Sequence, residues 1–430
     1  GTVSLASGAT QSGFGRTGTV DWDTASIKTA TFTAATGSGY FVNTTGGVIT
    51  VNLPAGAAGS IVSVADYAAT WQTNNVTVAS NGAEKIGGDT NDATLSTEGQ
   101  SVTFVYVDGV QGWVNTMDST SNVRGQNLYI TATGGTPCSG AIVCTNYKTH
   151  TFTGPGTFCV SAGAGPLSVA DYIIVAGGGG GAGGNDRGGG GGAGGFRGSS
   201  GTASGCYAAG CAPLVGPVSA NPVSVQGYPI VVGGGGAGAP SAGGLTPGTA
   251  GVASSTFGTT VAGGGAGGGG SGTAGGSGGS GGGGGHSCGA GGSGNTPTLT
   301  PSQGNNGSAS AGGLALGAGG GISGVGGTAT PSCAGDGGQD INNSITASPV
   351  YYAGGAGGGG QTGSATQGSA SPGGSGGAGG AVGGGPPHCG VNGAANRGGG
   401  GGGASNRCGG HAAGGGNGGG GVVVIRYKFQ

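Results

Sequence analysis

Glycine is concentrated in one part of this chain. The first 170 positions hold 25 glycines, and the remaining 260 positions hold the other 99 of the 124 (124 − 25 = 99). Glycine has no side chain to bury, and it loses more backbone entropy on ordering than any other residue. A folded segment of this kind must therefore be held together by its own backbone hydrogen bonds.

Composition and charge exclude several classes of protein. Only 6% of the residues are charged and the net charge is −2, so neither charge-driven disorder nor a basic nucleic-acid surface is expected. No Gly-X-Y repeat runs through the chain, which excludes collagen. No apolar stretch reaches the roughly 18 residues of a membrane-spanning helix, and the first residues lack the pattern of an export signal. We expect a soluble chain with no membrane insertion and no nucleic-acid partner.

The distribution of residue types divides the chain into four segments. Residues 1–18 are small and polar and are interpreted as a linker or attachment segment. Residues 19–117 alternate short β-branched and aromatic runs with turn signals, which predicts a small all-β module. Residues 118–147 are interpreted as a connector that carries one strand, NLYITAT, and residues 148–430 as a glycine-rich domain.

Side-chain alternation suggests which residues of the all-β module face inward. In the run SVTFVYVDG, Val102, Phe104 and Tyr106 share one face, and one face of this strand is expected to pack on the core. The large core or interface anchors of this module are predicted to be Trp22, Trp71 and Trp113.

Strands frame the glycine-rich domain. They are predicted within residues 148–176, 215–233 and 421–430, and THTFTGPGTFCV is interpreted as a hairpin around Gly154-Pro155-Gly156. Each strand leads directly into or out of a glycine run. We therefore predict a small sheet built from strands that are distant in sequence.

The glycine runs at 177–181, 188–192, 281–285 and 398–403 are too long for turns. They are either flexible linkers or polyglycine II helices, which have three residues per turn and pair with neighbouring helices. Segments of ordinary composition interrupt the runs, as expected where packed helices turn back, so the packed bundle is favoured. The predicted fold is mainly β: an all-β module plus packed polyglycine II helices anchored on a small β-sheet, with glycine at every interior position of the bundle.

Nine cysteines, an odd number, lie between Cys138 and Cys408. Their spacing suggests short disulfide-closed loops, although connectivity stays open. The leftover thiol is assigned to Cys159, as a buried free cysteine on an apolar strand. The candidate disulfide cysteines are Cys138, Cys144, Cys206, Cys211, Cys389 and Cys408.

Catalytic and metal sites find little support in the sequence. Three histidines, His286, His388 and His411, lie close to cysteines, but a closed Cys-x-x-Cys zinc spacing is absent and disulfides explain the cysteines without metal. The strand DYIIV leads into glycines without the helix that a phosphate-binding loop requires. There is no Gly-x-Ser-x-Gly nucleophile motif, and no obvious pair forms among Asp171, Asp186, Asp336 and Asp340. We expect no enzyme activity, no metal and no cofactor.

Recognition is instead assigned to side chains in the interrupting segments. Aromatic rings and arginines supply much of the energy of binding surfaces. An alternative is that Phe196, Tyr351 and Tyr352 only cap the flank of the bundle. The candidate receptor-binding residues are Arg187, Phe196, Arg197, Tyr207, His286, Tyr351, Tyr352, His388, Asn392, Arg397, Arg407 and His411.

Two stretches of the sequence carry a resemblance to known proteins. GTVDWDTASIKTATFTAATGSGYFVNTTGGVITVNLP with SVTFVYVDGVQGW resembles a small β module of tail-fibre and appendage proteins of tailed bacteriophages. YKTHTFTGPGTFCV, DYIIVAGGGGGAGG, GGGGAGGFRG and GVVVIRYKFQ are similar to the glycine-rich distal domain of such adhesins. The resemblance implies a homotrimeric or tip-located virion protein, with receptor-contacting loops between polyglycine II helices.

The expected function follows from this resemblance. The chain is expected to be an extracellular virion component that binds a bacterial surface receptor, either a polysaccharide or an outer-membrane protein, and that contacts other tail-fibre proteins. Two alternatives stay open. One is a purely structural virion or extracellular fibre, and the other is an ice-binding protein with a flat polyglycine face.

Overall fold

The computed structural model describes residues 20–119, 129–163, 167–184, 187–201, 203, 207–208, 218–241, 245–270, 272–311, 315–360, 367–371, 376–379, 389–405 and 413–430. All regular elements within these ranges are β-strands, which confirms the mainly β fold class. None of the described residues belongs to a helix long and apolar enough to cross a membrane. The chain forms two compact units, Gly1–Gly125 and Gln126–Gln430.

The first unit contains nine strands among its described residues. They are β1 (Asp21–Lys28), β2 (Phe32–Thr33), β3 (Ser38–Val42), β4 (Ile49–Asn52), β5 (Ile61–Asp66), β6 (Val76–Ala79), β7 (Ala93–Leu95), β8 (Ser101–Asp108) and β9 (Gly112–Ser119).

Strands β1 to β6 of the first unit alternate between two sheets. One sheet has the order β1-β3-β5-β8-β9 and the other has the order β2-β4-β6-β7. Strands β1, β3 and β5 run parallel, as do β2, β4 and β6, whereas β7, β8 and β9 pair antiparallel. The chain therefore coils from sheet to sheet before it closes with antiparallel strands.

The core of the first unit follows the predicted alternation. Val102 and Phe104 are buried, and Tyr106 packs against the same core. Trp71 and Trp113 are fully buried, and their indole N–H groups donate to the Val42 carbonyl (3.3 Å) and to Glu84 Oε2 (3.2 Å). The prediction of tryptophan anchors is confirmed for these two.

Trp22 does not join that core. It lies on β1 at the edge of its sheet, is 41% exposed, and has its ring centroid 5.0 Å from that of Phe41. Its neighbour on β3 is Gly39, where an added Cβ would lie 2.7 Å from the indole. The indole thus rests on the bare backbone of Gly39 at the surface.

The second unit contains fifteen strands among its described residues. They are β10 (Thr131–Thr133), β11 (Thr136–Val143), β12 (Tyr147–Phe152), β13 (Gly156–Ala162), β14 (Val169–Val175), β15 (Gly183–Gly184), β16 (Phe196–Gly198), β17 (Asn221–Pro222), β18 (Gly227–Ile230), β19 (Leu245–Thr246), β20 (Ser254–Thr256), β21 (Thr259–Val261), β22 (Ile341–Asn343), β23 (Val350–Tyr352) and β24 (Val422–Lys428).

Strands distant in sequence build the main sheet of this unit, as predicted. Its order is β11-β12-β24-β14-β16, with β17 also paired to β14. The last strand, β24, lies between β12 and β14 and runs antiparallel to both. A second sheet has the order β10-β13-β18. Because β10 and β11 belong to these sheets, the segment 118–147 is more than the connector that the sequence suggested.

The predicted hairpin around Gly154-Pro155-Gly156 is wrong. Strand β12 pairs with β11 and β24, whereas β13 pairs with β10 and β18, so this turn joins two different sheets. The physical reason is burial, because Phe152 and Phe158 fill one core together from the two sheets. Local turn chemistry cannot distinguish a hairpin from a corner of this kind.

Both faces of the main sheet are covered. On β14, Tyr172 and Ile174 join the core shared with the second sheet, while Ile173 and Val175 join another core that includes Phe196 and Tyr352. Strand β24 alternates in the same way. This explains why VADYIIV and VVVIRYK are almost continuously apolar.

A buried histidine joins the beginning of the second unit to its last strand. His150 is fully buried, with Nδ1 2.6 Å from the Gly134 carbonyl oxygen and Nε2 3.0 Å from the Tyr427 hydroxyl. Burial lowers the pKa of His150; the hydrogen bond to Gly134 opposes this shift, and the charge of Lys148 adds to it. The neutral imidazole is therefore the form that fits this site.

We expect acid to destabilise the second unit through His150. The unfolded imidazole, with a pKa of about 6.5, binds a proton at pH values where the folded one does not. The stabilisation is thus complete above about pH 6.5 and is lost as the pH falls from there toward the lowered folded pKa. Melting temperatures measured from pH 8 to pH 5 should fall more steeply for the wild type than for His150→Gln. Equal slopes would exclude His150 as the titrating group.

The glycine runs form a lattice of backbone hydrogen bonds. From Gly177 to Ala182, the N–H groups donate in turn to three neighbouring segments, and every third donor returns to the same segment. The acceptors, at 2.9–3.0 Å, are the carbonyl oxygens of Val252, Gly419, Gly192, Thr249, Gly416 and Gly189 in that order. Each N–H group of this segment thus donates to a neighbouring segment and none to the segment itself.

Residues 188–194 are surrounded on all sides by such segments. Their N–H groups donate to carbonyls within 398–404, 262–268 and 317–320. Their carbonyls accept from N–H groups within 179–182, 280–283 and 356–359. Three donor and three acceptor neighbours make six, so we call this arrangement the glycine lattice.

The lattice leaves almost no room for side chains. A Cβ at Gly179, Gly190 or Gly191 would fall against the carbonyl oxygen of a neighbouring segment. The expectation that every interior position is glycine is nevertheless too strict. Alanine occupies several fully buried positions, where its methyl group is accommodated: Ala182, Ala193, Ala318, Ala356 and Ala404.

Candidate functional site

The glycine lattice has two different ends. At the end that we call the sheet end, Ala176, Gly195 and Gly421 adjoin strands β14, β16 and β24. At the opposite end, which we call the turn end, the Ala404 N–H donates to Ala182 (2.9 Å) and the Gly188 N–H donates to Ala404 (2.9 Å). Successive segments run in alternate directions between these ends, so the interrupting segments fall into two groups.

The sequence-predicted recognition residues divide between the two ends. Arg187 and His286 lie at the turn end, next to lattice segments that begin at Gly188 and end at Gly285. Phe196, Arg197 and the aromatic pair Tyr351 and Tyr352 belong to strands at the sheet end. The sequence could not separate them, because the direction of each segment depends on its hydrogen-bond partners.

The turn at 286–288 lies at the turn end and is described in full. His286 is half-buried, its Nδ1 lies 2.9 Å from Ser287 Oγ, and its carbonyl accepts from the Gly272 N–H at 2.6 Å. Ser287 and Cys288 have φ angles of +59° and +66°, in the left-handed region that non-glycine residues rarely adopt. The turn thus holds an imidazole, a hydroxyl and an exposed thiol on a strained backbone.

Two further candidates adjoin lattice segments but differ in exposure. Arg187 is only 6% exposed, so it packs into the turn end rather than projecting from it. Asn392 is exposed, and its Oδ1 accepts a hydrogen bond from the Asn417 N–H at 2.8 Å. The Asn392 side chain thus holds a neighbouring segment through its oxygen and has a structural role, while its amide NH₂ stays available to a ligand or to solvent.

Most sheet-end candidates are not exposed recognition residues. Phe196 and Tyr352 are buried in the core on one face of the main sheet, and burial raises the pKa of Tyr352 to about 12. Arg197 is 4% exposed, and its Nη2 donates to the Pro301 carbonyl at 2.8 Å. These three side chains are buried, so the structure does not present them for receptor contact, and Phe196 and Tyr352 instead cover the second face of the main sheet. Tyr351 is 40% exposed and stays a candidate for receptor contact.

Tyr207 and Arg397 are half-buried. The Tyr207 ring packs on the core at the sheet end, with the Arg426 guanidinium 5.0 Å from its centroid, and burial raises the pKa of its hydroxyl. The Arg397 carbonyl accepts from the Ala353 N–H at 2.8 Å, which ties this turn to β23. His388, Arg407 and His411 lie outside the described residues.

The cysteines do not follow the expected pairing where they are described. Cys138 and Cys144 are exposed and are not joined by a disulfide in the structure. Cys159 is exposed rather than buried, because Phe158 and Val160 on β13 point into the core and the residue between them points outward. Cys389 is also exposed, and Cys206, Cys211 and Cys408 lie outside the described residues.

Within the ranges that the structure describes, no three His, Cys, Asp or Glu side chains come close enough together to hold a metal ion. The carboxylates Asp336 and Asp340 instead accept hydrogen bonds from the Ser369 N–H (2.6 Å) and from Ser371 Oγ (3.1 Å). They therefore fasten neighbouring segments of the lattice.

A buried polar cluster that the sequence did not reveal lies on β14 and β24. Asp171 and Arg426 are both fully buried and occupy register-paired positions on these strands. Ser199 Oγ donates to Asp171 Oδ1 at 2.7 Å, and Arg426 Nη1 donates to the Ile345 carbonyl at 3.0 Å. The only sequence signal was one charged residue inside each of two apolar strands. The cluster fixes strand register and the loop that covers the sheet.

Comparison with known proteins identifies part of this architecture. A family model described as a glycine-rich domain matches residues 151–428. No curated protein matches the chain. The matched region begins within β12 and ends with the last residue of β24, so it includes the main strands and the glycine lattice.

Proposed function

The chain belongs to the family of glycine-rich domains, and from that premise we propose that it is a tail-fibre or appendage protein of a tailed bacteriophage, whose glycine lattice presents turns that bind a bacterial surface receptor. The proposal includes polyglycine II geometry for the lattice segments. The hydrogen bonds that return to the same neighbour at every third residue support it, because polyglycine II has three residues per turn.

The single observation that supports the proposed adhesive role is the glycine lattice. Six neighbours satisfy the backbone of residues 188–194, so the segments are rigid although they have no side chains to recognise a ligand. Specific binding must then come from the turns, and a rigid support lowers the entropy lost when a turn binds. The strained turn at 286–288 is the part of the turn end that best fits this role.

The proposal extends to the surroundings of the protein. We place it on the virion, exposed to the medium, as a homotrimer that contacts other tail-fibre proteins through its first unit. Its receptor is a polysaccharide or an outer-membrane protein of the host. A purely structural fibre is the competing role, and it is favoured by the burial of Phe196 and Tyr352.

Binding to cells tests the adhesive role. Labelled full-length protein should adsorb to some strains of a panel of aquatic bacteria, and gold-labelled antibodies against it should decorate phage tails. The variant His286→Gly, Ser287→Gly and Cys288→Gly removes three side chains from a backbone that glycine readily adopts. We expect it to fold normally and to bind host cells about 10-fold or more weakly, since binding hot spots each contribute about 2 kcal/mol or more.

Val325→Ser is the matched control, since Val325 is 62% exposed and lies near the sheet-end turn that follows Ile322. It should bind cells as the wild type does. Adsorption to no strain, together with antibody labelling along lateral filaments without particles, would favour the purely structural role. Binding by the triple glycine variant at the wild-type level would exclude the turn at 286–288 as the receptor surface, and equal loss in both variants would show that the loss is not specific to the turn end.

A further inference from the structure

A cavity of about 460 Å³ opens at the sheet end of the second unit, beside the hairpin of β20 and β21. This volume lies within the range of about 300–1,000 Å³ that is typical of small-molecule sites. Its walls include two aromatic rings and several neutral polar side chains, namely Tyr228, Phe257, Asn221, Ser255, Thr256 and Thr260. None of the residues that line it is charged.

Phe257 occupies an unusual backbone position in this cavity. It is the first residue of a two-residue turn between the paired residues Thr256 and Thr259, and it has a φ of +50°, followed by Gly258 at +74°. Two-residue turns of this type strongly prefer Asn-Gly, because both central residues need positive φ. A bulky aromatic residue is strained there, and such strain clusters at functional sites.

The backbone conformation at Phe257 holds its ring against two tyrosine rings. Its centroid lies 5.2 Å from that of Tyr228 and 5.6 Å from that of Tyr172, both at steep interplanar angles. The Tyr228 hydroxyl is held in turn by the Ser224 N–H (2.7 Å) and by Gln226 Nε2 (2.9 Å). Two rings that meet edge to face therefore form a rigid apolar corner of the cavity.

The polar groups lie on the same hairpin. Ser255 and Thr260 are register-paired on β20 and β21. Thr256 is only 2% exposed, and its hydroxyl has no hydrogen-bond partner among the described residues. This oxygen has almost no accessible surface, so the hydroxyls within reach of a ligand in the cavity are those of Ser255 and Thr260.

We propose that this cavity binds one ring of a neutral carbohydrate. The apolar face of the sugar packs on Phe257 and Tyr228, and its hydroxyl groups exchange hydrogen bonds with Ser255, Thr260 and the Asn221 amide. The uncharged lining selects against sugar acids and phosphates, since their charge would enter the site without a partner. The site lies at the sheet end and does not depend on the receptor proposed for the turn end.

Titration with simple sugars tests this site in the full-length protein. The probes are the methyl glycosides of glucose, galactose, mannose and N-acetylglucosamine, with glucuronic acid and indole as comparison ligands, followed by NMR of the ligand and by calorimetry. We expect saturable binding of at least one neutral glycoside and none of glucuronic acid. Binding of indole without any neutral sugar, or of no probe at all, would overturn the proposal.

Two substitutions test sugar binding in variants that are expected to stay folded. Phe257→Asn places a preferred residue at the positive φ and removes the ring, so we expect at least 10-fold weaker sugar binding with the hairpin kept. Thr260→Val removes an exposed hydroxyl of the lining at nearly constant shape, so we expect an unchanged melting temperature but several-fold weaker binding. If both variants bind sugar as the wild type does, the cavity is not the site.

Two control variants distinguish the cavity from the turn end as the sugar site. Val252→Ser changes a side chain that is 56% exposed on a neighbouring lattice segment outside the cavity lining, and it should leave sugar binding unchanged. The triple glycine variant of residues 286–288 should also keep it. Loss of sugar binding in that variant would show that the ligand binds at the turn end, whereas failure of cell adsorption alone leaves the cavity result intact.

Discussion

Replacing Gly191 by alanine is expected to destabilise the second unit by about 1–3 kcal/mol or more, the range seen when extra carbon is forced into a packed interior. Gly191 is buried in the lattice, and a Cβ there would fall against the Gly179 carbonyl oxygen and lie 2.7 Å from its carbonyl carbon. To make room, the neighbouring segment must move. The hydrogen bond from Gly191 N–H to Gly401 (2.8 Å) is then strained as well.

The same substitution at Gly234 is the matched control. Gly234 is exposed at the edge of the lattice, and an added Cβ would have nothing within 4 Å. Because alanine restricts the unfolded chain, Gly234→Ala should leave stability unchanged or raise it by about 0.4–1 kcal/mol. Urea unfolding followed by far-UV circular dichroism, with hydrogen exchange of the lattice amides, measures both. All three tryptophans precede residue 126, so their fluorescence follows the first unit separately. Equal effects of the two substitutions would contradict close backbone packing.

Replacing Arg426 by methionine is expected to cost about 3–5 kcal/mol of stability, as is typical when one partner of a buried charged cluster is removed. Arg426 is fully buried opposite Asp171, and its guanidinium lies 5.0 Å from the ring centroids of both Tyr147 and Tyr207. Methionine keeps much of the side-chain length but leaves the Asp171 carboxylate in an apolar environment without the facing cation. The Ile345 carbonyl also loses its donor.

A second substitution tests the electrostatic part of this effect. Asp171→Asn combined with Arg426→Met removes the buried negative charge while an amide oxygen still accepts from Ser199 Oγ, so it should recover part of the lost stability. Lys428→Met on the same strand is the control, and it should cost about 1 kcal/mol or less, because its ammonium lies 5.4 Å from the Tyr129 ring in a partly exposed position. A cost below about 1 kcal/mol for Arg426→Met would show that the cluster contributes little.

Much of the fold could be predicted because local chemistry and tertiary structure agree. The alternation of Val102 and Phe104 and the apolar runs of β14 and β24 predict faces that the tertiary structure buries, and the punctuated glycine runs favour the packed bundle that the structure shows over flexible linkers. The prediction of a hairpin at the Gly154-Pro155-Gly156 turn failed for a physical reason. Its residues fit a hairpin, yet the shared core of Phe152 and Phe158 requires the two strands to lie in different sheets.

The candidate site was less predictable than the fold. Arginine and aromatic residues among glycines look like recognition residues, but Phe196 and Tyr352 are needed to cover the second face of the main sheet. His286 and the two residues after it were noted for their histidine and cysteine, whereas the positive φ angles of Ser287 and Cys288 became visible only in the structure. The cavity beside Phe257 had no sequence signal apart from a Phe-Gly pair at a turn.

The sequence by itself determined that backbone hydrogen bonds must hold the second part of this protein together, because 99 of its 260 residues have no side chain to pack. It also predicted the strands within residues 148–176, 215–233 and 421–430 and the places where other segments interrupt the glycine runs. Only the tertiary structure decided which segments are neighbours, because backbone N–H and C=O groups are the same in every residue and carry no sequence information. The contact between His150 and Tyr427, 277 positions apart, shows how such pairing is specified: the few side chains at the sheet end fix the register, and the lattice follows from it.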